Sequence, residues 1–274
     1  MEPKRLKAKR AARIAEIQAL INRYFPPHTH PYRALLSKIL DYLEPHHTVL
    51  EIGCGRAAPT LLELKGRARA LIGIDLEEFV VADPEVTLLN ADVGEMGVVA
   101  NESVHLAYSR GVMEHIEDVE AAYSEISRVL SPKGLYIFLT PNAWDLASIV
   151  AYVIPNQFHA RIVRMTEGRR EQDVFPTYYR SNTLRKIAKL AERNQFSVVS
   201  FEYLGQYPSY FTFSPMLFGI GCRYEKFLER SPRLHFLKSW ILCVLSKQSA
   251  TLSTLRKTAG GSHRGRATAA NLPV

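Results

Sequence analysis

Cysteine is scarce in this chain: Cys54, Cys222 and Cys243 are the only three in 274 residues, and no two stand at a paired spacing. That excludes a disulfide scaffold and a Cys-ligated zinc site, and it points to a reducing compartment. Long apolar runs are missing as well. The two longest, 211–221 and 234–245, hold 11 and 12 residues, whereas crossing a bilayer takes roughly 20. The opening segment 1–13 is charged throughout and has no apolar core of the kind that follows the basic start of a secretory leader. A hydrophobic share of 47% with 23% charged residues excludes wholesale disorder and collagen-like sequence. These absences leave a soluble, cytoplasmic, globular chain of one or two domains as the expectation.

The net charge of +8 is unevenly spread. Residues 1–13 hold Lys4, Arg5, Lys7, Lys9, Arg10 and Arg13 against Glu2, and 247–274 hold five basic residues and no acid. The body between them is close to neutral. The ends therefore read as a basic arm (1–13) and a basic, disordered tail (247–274), solvated or directed at an anionic partner.

Between the ends, Ile14, Ile17 and Ile21 share one helical face, and Leu35, Leu36, Ile39, Leu40 and Leu43 another, so 14–45 reads as N-terminal helices. The period then changes. Strand-like runs at 48–52, 70–75, 86–92, 104–109 and 135–140 alternate with helical stretches at 57–64 and 116–130. That alternation predicts an α/β, Rossmann-like, doubly wound and mostly parallel sheet over 46–142, which binds ligands at the carboxyl ends of its strands. Residues 143–246 are less regular, with a helix expected near 182–193, a strand near 196–202 and the two apolar stretches. They read as a C-terminal helical and aromatic lid that sets specificity.

The most informative string is Val49-Leu50-Glu51-Ile52-Gly53-Cys54-Gly55-Arg56-Ala57. A buried strand runs into a glycine turn that opens a helix, and Gly53 and Gly55 let the backbone approach a ligand closely. An acid lies inside the strand at Glu51. Asp75 ends the next strand, 22 residues after Gly53, where a carboxylate can accept both hydroxyls of a ribose, and Asn90-Ala91-Asp92 ends the third.

With these motifs the chain resembles the class I S-adenosylmethionine-dependent methyltransferases, most closely their type-11/type-25 small-molecule group. VLEIGCG matches the first family motif, GID the second and NAD the third; SRGVMEH, EISRVL and SPKGLYIFLTPN match the stretch that follows. The resemblance implies that Glu51, Gly53 and Gly55 hold the methionine end of S-adenosylmethionine, Asp75 the ribose and Asp92 the adenine amino group. It also implies that the Ser109 backbone lines the methionine moiety, that S-adenosylhomocysteine is the product, and that no metal takes part. Two departures stand out: Ala57 replaces a third glycine, and His105 occupies the usual place of an acid at the start of the fourth strand.

Methyl transfer from a sulfonium needs alignment, exclusion of water and, for a hydroxyl acceptor, removal of a proton. His115 follows the fourth strand, and imidazole titrates near neutral pH. It reads either as the base, with Glu114 beside it, or as a cap or packing element. No Asp/Asn-Pro-Pro-Tyr/Phe follows the fourth strand and no cysteine lies where a covalent mechanism needs one. The expectation is O-methylation of a small-molecule or glycan-type hydroxyl, with N- or C-methylation left open and nucleic acid an unlikely partner.

Tyr179 and Arg180, in the 175–183 aromatic stretch, read either as acceptor-binding residues or as packing before a helix that Ser181 or Asn182 caps. His28 and His30, in the HTHP turn, read either as surface histidines or as residues that close over the cofactor. The 211–245 region, apolar with basic flanks, suggests either peripheral membrane contact or an interior or subunit interface. Three alternatives stay open: methylation of RNA or protein through the basic arms, a cofactor-binding scaffold without catalysis, and an NAD enzyme using Gly53, Gly55 and Ala58.

Overall fold

A computed structural model describes residues 2–146 and 176–249, with side chains from residue 7 onward. In chain order its elements are α1 (Glu2–Tyr24), α2 (Pro31–Tyr42), β1 (Thr48–Ile52), α3 (Pro59–Leu62), β2 (Ala70–Asp75), β3 (Val86–Asn90), β4 (Val104–Arg110), α4 (Val119–Val129), β5 (Leu130–Pro141), α5 (Leu184–Arg193), β6 (Phe196–Leu204), α6 (Pro215–Glu229) and β7 (Trp240–Lys247). The seven strands form one sheet in the order β3-β2-β1-β4-β5-β7-β6. The first five are parallel, and β7 inserts antiparallel between β5 and β6. This is the expected Rossmann-like architecture, closed at one side by an antiparallel strand.

The register follows from burial. Thr48–Ile52 is buried along its whole length, as a central parallel strand must be. Leu50 and Ile52 face α4 and α5 together with Tyr123, Ile126, Ile187 and Leu190. Val49 faces α2 and α3 with Leu35, Ile39 and Leu61. Because strand side chains alternate, Glu51 shares the face of Val49 and is carried into the α2–α3 layer.

Several boundaries move for identifiable reasons. The 1–13 segment, expected as an arm, is already helical in α1, since Ala, Lys, Arg and Glu favour helix. The helix expected at 57–64 shortens to Pro59–Leu62, because Ala58 takes a left-handed conformation ahead of Pro59. α4 begins at Val119 because the Asp118 carboxylate caps it, accepting the Ala121 N–H at 3.0 Å. The Pro132-Lys133-Gly134 turn is a bulge within one long β5, with Lys133 at positive φ and the register shifted between Val104 and Leu106. Thr183, rather than Ser181 or Asn182, caps α5, and those two are buried instead. The second apolar stretch includes the interior strand β7: Ile241–Leu245 are buried between β5 and β6 and face no lipid. The tail beyond 249 lies outside the described residues, as do 147–175.

The chain leaves β1 through Gly53 and Gly55, both near φ +70°. A methyl on Gly53 would collide with Val112 Cγ2, whereas one on Gly55 meets nothing within 4 Å. We therefore expect Gly55→Ala to cost about 1 kcal/mol of left-handed strain and Gly53→Ala to cost about 1–3 kcal/mol more through overpacking. Urea unfolding of the two variants measures the difference.

Candidate functional site

The turn after β1 is tied first to β2. The Gly53 and Cys54 N–H groups both donate to the Ile74 carbonyl, at 2.9 and 3.1 Å, and the Gly55 N–H donates to Asp75 Oδ2 at 2.7 Å. Asp75 Oδ1 accepts from the Glu77 N–H, so each oxygen holds one backbone donor and keeps capacity for another. The Asn90 amide, at the end of β3, bridges the carbonyls of Asp75 and Leu76. Asp92 is exposed, with Oδ1 accepting the Gly94 N–H at 2.6 Å. The carboxyl ends of β1, β2 and β3 thus bring Glu51, Gly53, Gly55 and Asp75 together, with Asp92 at the outer edge. Ser109, beside Ile52 in the register, turns its hydroxyl to Tyr136 at 2.7 Å inside the core, so only its backbone faces the strand ends.

Glu51 is 1% exposed, and its Oε2 is buried without a hydrogen-bond partner. Burial pushes its carboxyl up to about 8, against the pull of Tyr108 and the nearby Arg110 charge. Arg110 ends β4 next to the turn. Its guanidinium lies 4.7 Å over the Tyr32 ring, and among the described residues it has no carboxylate within ion-pair distance. Tyr32 also packs edge-on to Trp240 and to His30. His30 is no simple surface residue. It caps α2, its Nδ1 accepting the Tyr32 N–H, and burial together with the Arg110 and Arg33 charges holds its pKa down. His28 is exposed.

On the other side of β4, Glu114 is buried and accepts from Thr140 Oγ1 at 3.1 Å; Thr140 in turn accepts from the Asn182 amide at 2.7 Å. Burial raises the Glu114 pKa, opposed by its backbone hydrogen bond, the His115 charge and Thr140. His115 Nδ1 stands 2.8 Å from the Pro176 carbonyl. A carbonyl only accepts, so Nδ1 carries the proton and Nε2, 3.9 Å from Glu114 Oε1, is the basic nitrogen of the neutral ring. Tyr178 and Tyr179 both donate backbone N–H groups to the Glu114 carbonyl, which lays the 176–180 segment across this loop. Tyr179 holds φ +51°, and Arg180 lies 5.6 Å over the Tyr178 ring and 3.6 Å from Glu117. Both lie on the segment that these hydrogen bonds bring against the Glu114–His115 loop from far along the chain.

Sequence reasoning missed Arg110, Tyr32 and Thr140. The one signal for Arg110 was a charge ending an otherwise apolar strand. His105 lies at the opposite end of the sheet, its Nδ1 accepting the Thr48 N–H at 3.1 Å and its ring stacked on His47. Among the described residues Glu44, His46 and His47 cluster there at metal-ligand spacing. However, His47 Nδ1 already accepts the Glu44 N–H at 3.2 Å, which commits its lone pair to the backbone.

The donor set suits a ligand with an amino-acid end and a ribose. Gly55 offers open backbone, Glu51 one carboxyl oxygen without a partner, Asp75 spare acceptors and Arg110 a guanidinium without an ion pair among the described residues. Residues 21–201, about two thirds of the chain, match the family model of a methyltransferase domain. The chain is 34% identical, over 34% of its own length and 38% of the relative's, to a probable S-adenosylmethionine-dependent methyltransferase of Mycolicibacterium smegmatis. It is 24% identical, over 59% of its length and 46% of the relative's, to the 24-methylenesterol C-methyltransferase 2 of Oryza sativa subsp. japonica. The chain thus spans under half the length of these relatives. A solved S-adenosylmethionine-dependent methyltransferase from Mesorhizobium loti superposes with a TM-score of 0.50 at 17% identity, covering 80% of this chain and 98% of that one, a likeness of fold.

The orphaned Glu51 makes a pH prediction. An acid raised in the folded state binds protons that the unfolded chain releases, so its contribution favours folding at low pH and is lost as pH rises from about 4.5 to about 8. Glu51→Gln is therefore expected to gain stability relative to the parent across that window, by a few kcal/mol in order of magnitude at pH 8. Chemical denaturation at pH 5, 6.5 and 8 reads the gain.

Proposed function

The chain belongs to the methyltransferase-domain family, whose cofactor is S-adenosylmethionine, and we propose that it methylates a hydroxyl of a small-molecule or glycan-type acceptor. When bound, the cofactor supplies a methyl group on a positively charged sulfur. The observation that carries the hydroxyl reading is the placement of His115, whose Nδ1 stands 2.8 Å from the Pro176 carbonyl with the buried Glu114 beside the ring, an imidazole of the kind that takes the proton a hydroxyl must lose. Glu114 stands close behind, buried and tied to Thr140, where it favours the imidazolium that forms. Tyr179 and Arg180, on the segment laid across that loop, would meet the acceptor, with Arg180 suited to an anionic group on it.

On the cofactor side, Glu51 faces the amino group, Gly53 and Gly55 give close backbone approach, and Asp75 receives the ribose. Arg110, held flat by Tyr32, would pair with the carboxylate of the methionine end. Asp92, exposed beyond β3, would take the adenine edge.

Calorimetric titration tests this half. The parent should bind S-adenosylmethionine and ignore NAD, and Asp75→Ala should lose most of that affinity. Arg110→Ala should weaken the full cofactor about tenfold or more, in line with a charge-assisted hydrogen bond. It should leave binding of 5′-methylthioadenosine, which lacks the amino-acid end, unchanged. A parent that binds neither ligand would sink the methyl-transfer reading itself.

For the base, His115→Ala should lower turnover about 10²–10⁴-fold with little change in cofactor affinity. In the parent, the rate should fall at low pH, and His115→Ala should lose that dependence. A full rate from His115→Ala at every pH would sink the base assignment. The methylated atom is read directly by NMR of product made with a 13C-methyl donor, which separates oxygen from carbon.

A further inference from the structure

We infer that α6 and the basic turns of α1 form a peripheral docking surface for an anionic lipid bilayer. Met216, Ile220 and Phe227 are 72%, 54% and 56% exposed. With Arg223 they stand at i, i+4, i+7 and i+11, which is one face of the helix, turned away from the buried Phe218, Cys222 and Leu228. An apolar stripe interrupted by arginine is what an interfacial helix presents: the apolar side chains enter the acyl boundary while the arginine reaches up to the headgroups.

The surrounding charge commits the surface to a negatively charged partner. Arg223, Arg230 and Arg233 are exposed, whereas of the acids of α6 Glu225 has a buried carboxylate oxygen and the exposed Glu229 is offset by Lys226 at 2.7 Å. α1 packs beside α6, with Ile17 against Phe218 and Cys222 and the Lys226 ammonium 5.2 Å over the Phe25 ring. The order of those contacts makes the two helices run in the same direction. Lys7, Lys9, Arg10 and Arg13 therefore project past the start of α6, on the side of Met216. Among the described residues no helix is long and apolar enough to cross a membrane, so the contact is one of lying on the surface.

The surface also lies next to the acceptor side of the sheet. The Asn142 amide, just after β5, donates to the carbonyls of Phe236 and Lys238, which tightens the segment after α6 onto the strand ends. Trp144, Leu146 and Phe236 are exposed at that rim. A bilayer seated on α6 would meet this rim, and an acceptor carried on a lipid would arrive beside His115. That last consequence rests on the methyl-transfer reading, but the docking surface does not.

Sedimentation of the full chain with sucrose-loaded vesicles tests the inference without using activity. The chain should pellet with phosphatidylcholine vesicles containing phosphatidylserine. It should stay in the supernatant with phosphatidylcholine alone, and should be released by high salt. Met216→Glu/Ile220→Glu/Phe227→Glu should lower the bound-to-free ratio about tenfold or more while still binding S-adenosylmethionine like the parent, since those side chains point outward. Lys9→Glu/Arg10→Glu/Arg13→Glu should do the same. A parent left in the supernatant with anionic vesicles would overturn the inference. So would a triple-glutamate variant that still pellets, or light scattering showing that the stripe instead closes a dimer. Loss of cofactor binding in the parent itself would count against the methyl-transfer reading and leave this result standing.

Discussion

The site depends on how the chain leaves the central strand of the sheet. β1 is hydrogen-bonded on both sides, to β2 and β4, and buried on both faces, so its end can neither shift nor tilt. The backbone there must turn sharply beneath Val112 with no side chain of its own. Gly53 meets that requirement, and its N–H and that of Cys54 are then anchored on a single carbonyl of β2. Once the turn is pinned on that side, the other side of the loop is open backbone, and a ligand can lie against it. The Asp75 carboxylate holds Gly55 from the end of the next strand and so links the turn to β2. Shape and chemistry at this edge therefore come from the same few hydrogen bonds.

The charges near the turn are arranged at a cost to folding. Glu51 is buried without a full set of partners, and Arg110 stands near it without forming an ion pair, stacked instead on Tyr32. Interiors ordinarily pair such groups or omit them. Leaving both available in one place is the pattern expected where a zwitterionic ligand completes the set. The opposite end of the same strands shows the contrast. There His47 and His105 stack with each other and spend their ring nitrogens on backbone N–H groups. Histidines at that end are structural, whereas His115 lies at the strand ends, with Nδ1 at the Pro176 carbonyl and Glu114 beside it.

β7 and α6 divide the work of the C-terminal half. The antiparallel strand completes the sheet and buries Ile241–Leu245, so an apolar stretch that looks surface-seeking in isolation belongs to the core. α6 is amphipathic in a different sense, with one face against α1 and the other in solvent. The segment between them is tied to the end of β5 through Asn142, whose amide donates to the carbonyls of Phe236 and Lys238.

Local chemistry in the chain was enough to determine the alternation of strands and helices, the parallel sheet, the glycine turn and the acids at the ends of β1, β2 and β3. Each of these is carried by contiguous residues whose periodicity and turn preferences act over a few positions. The helical nature of 2–13 was written in its composition too, although the charge drew attention away from it. Tertiary structure alone decided which polar groups are paired and which are left waiting. Arg110 meets Tyr32 across 78 positions of chain, Thr140 links Glu114 to Asn182, and Pro176 reaches His115 from the far side of β5. It also decided that one apolar stretch lies inside the sheet while the other turns Met216 and Ile220 outward. Burial and pairing are properties of distant segments brought together, and no local pattern along a single strand or helix encodes them.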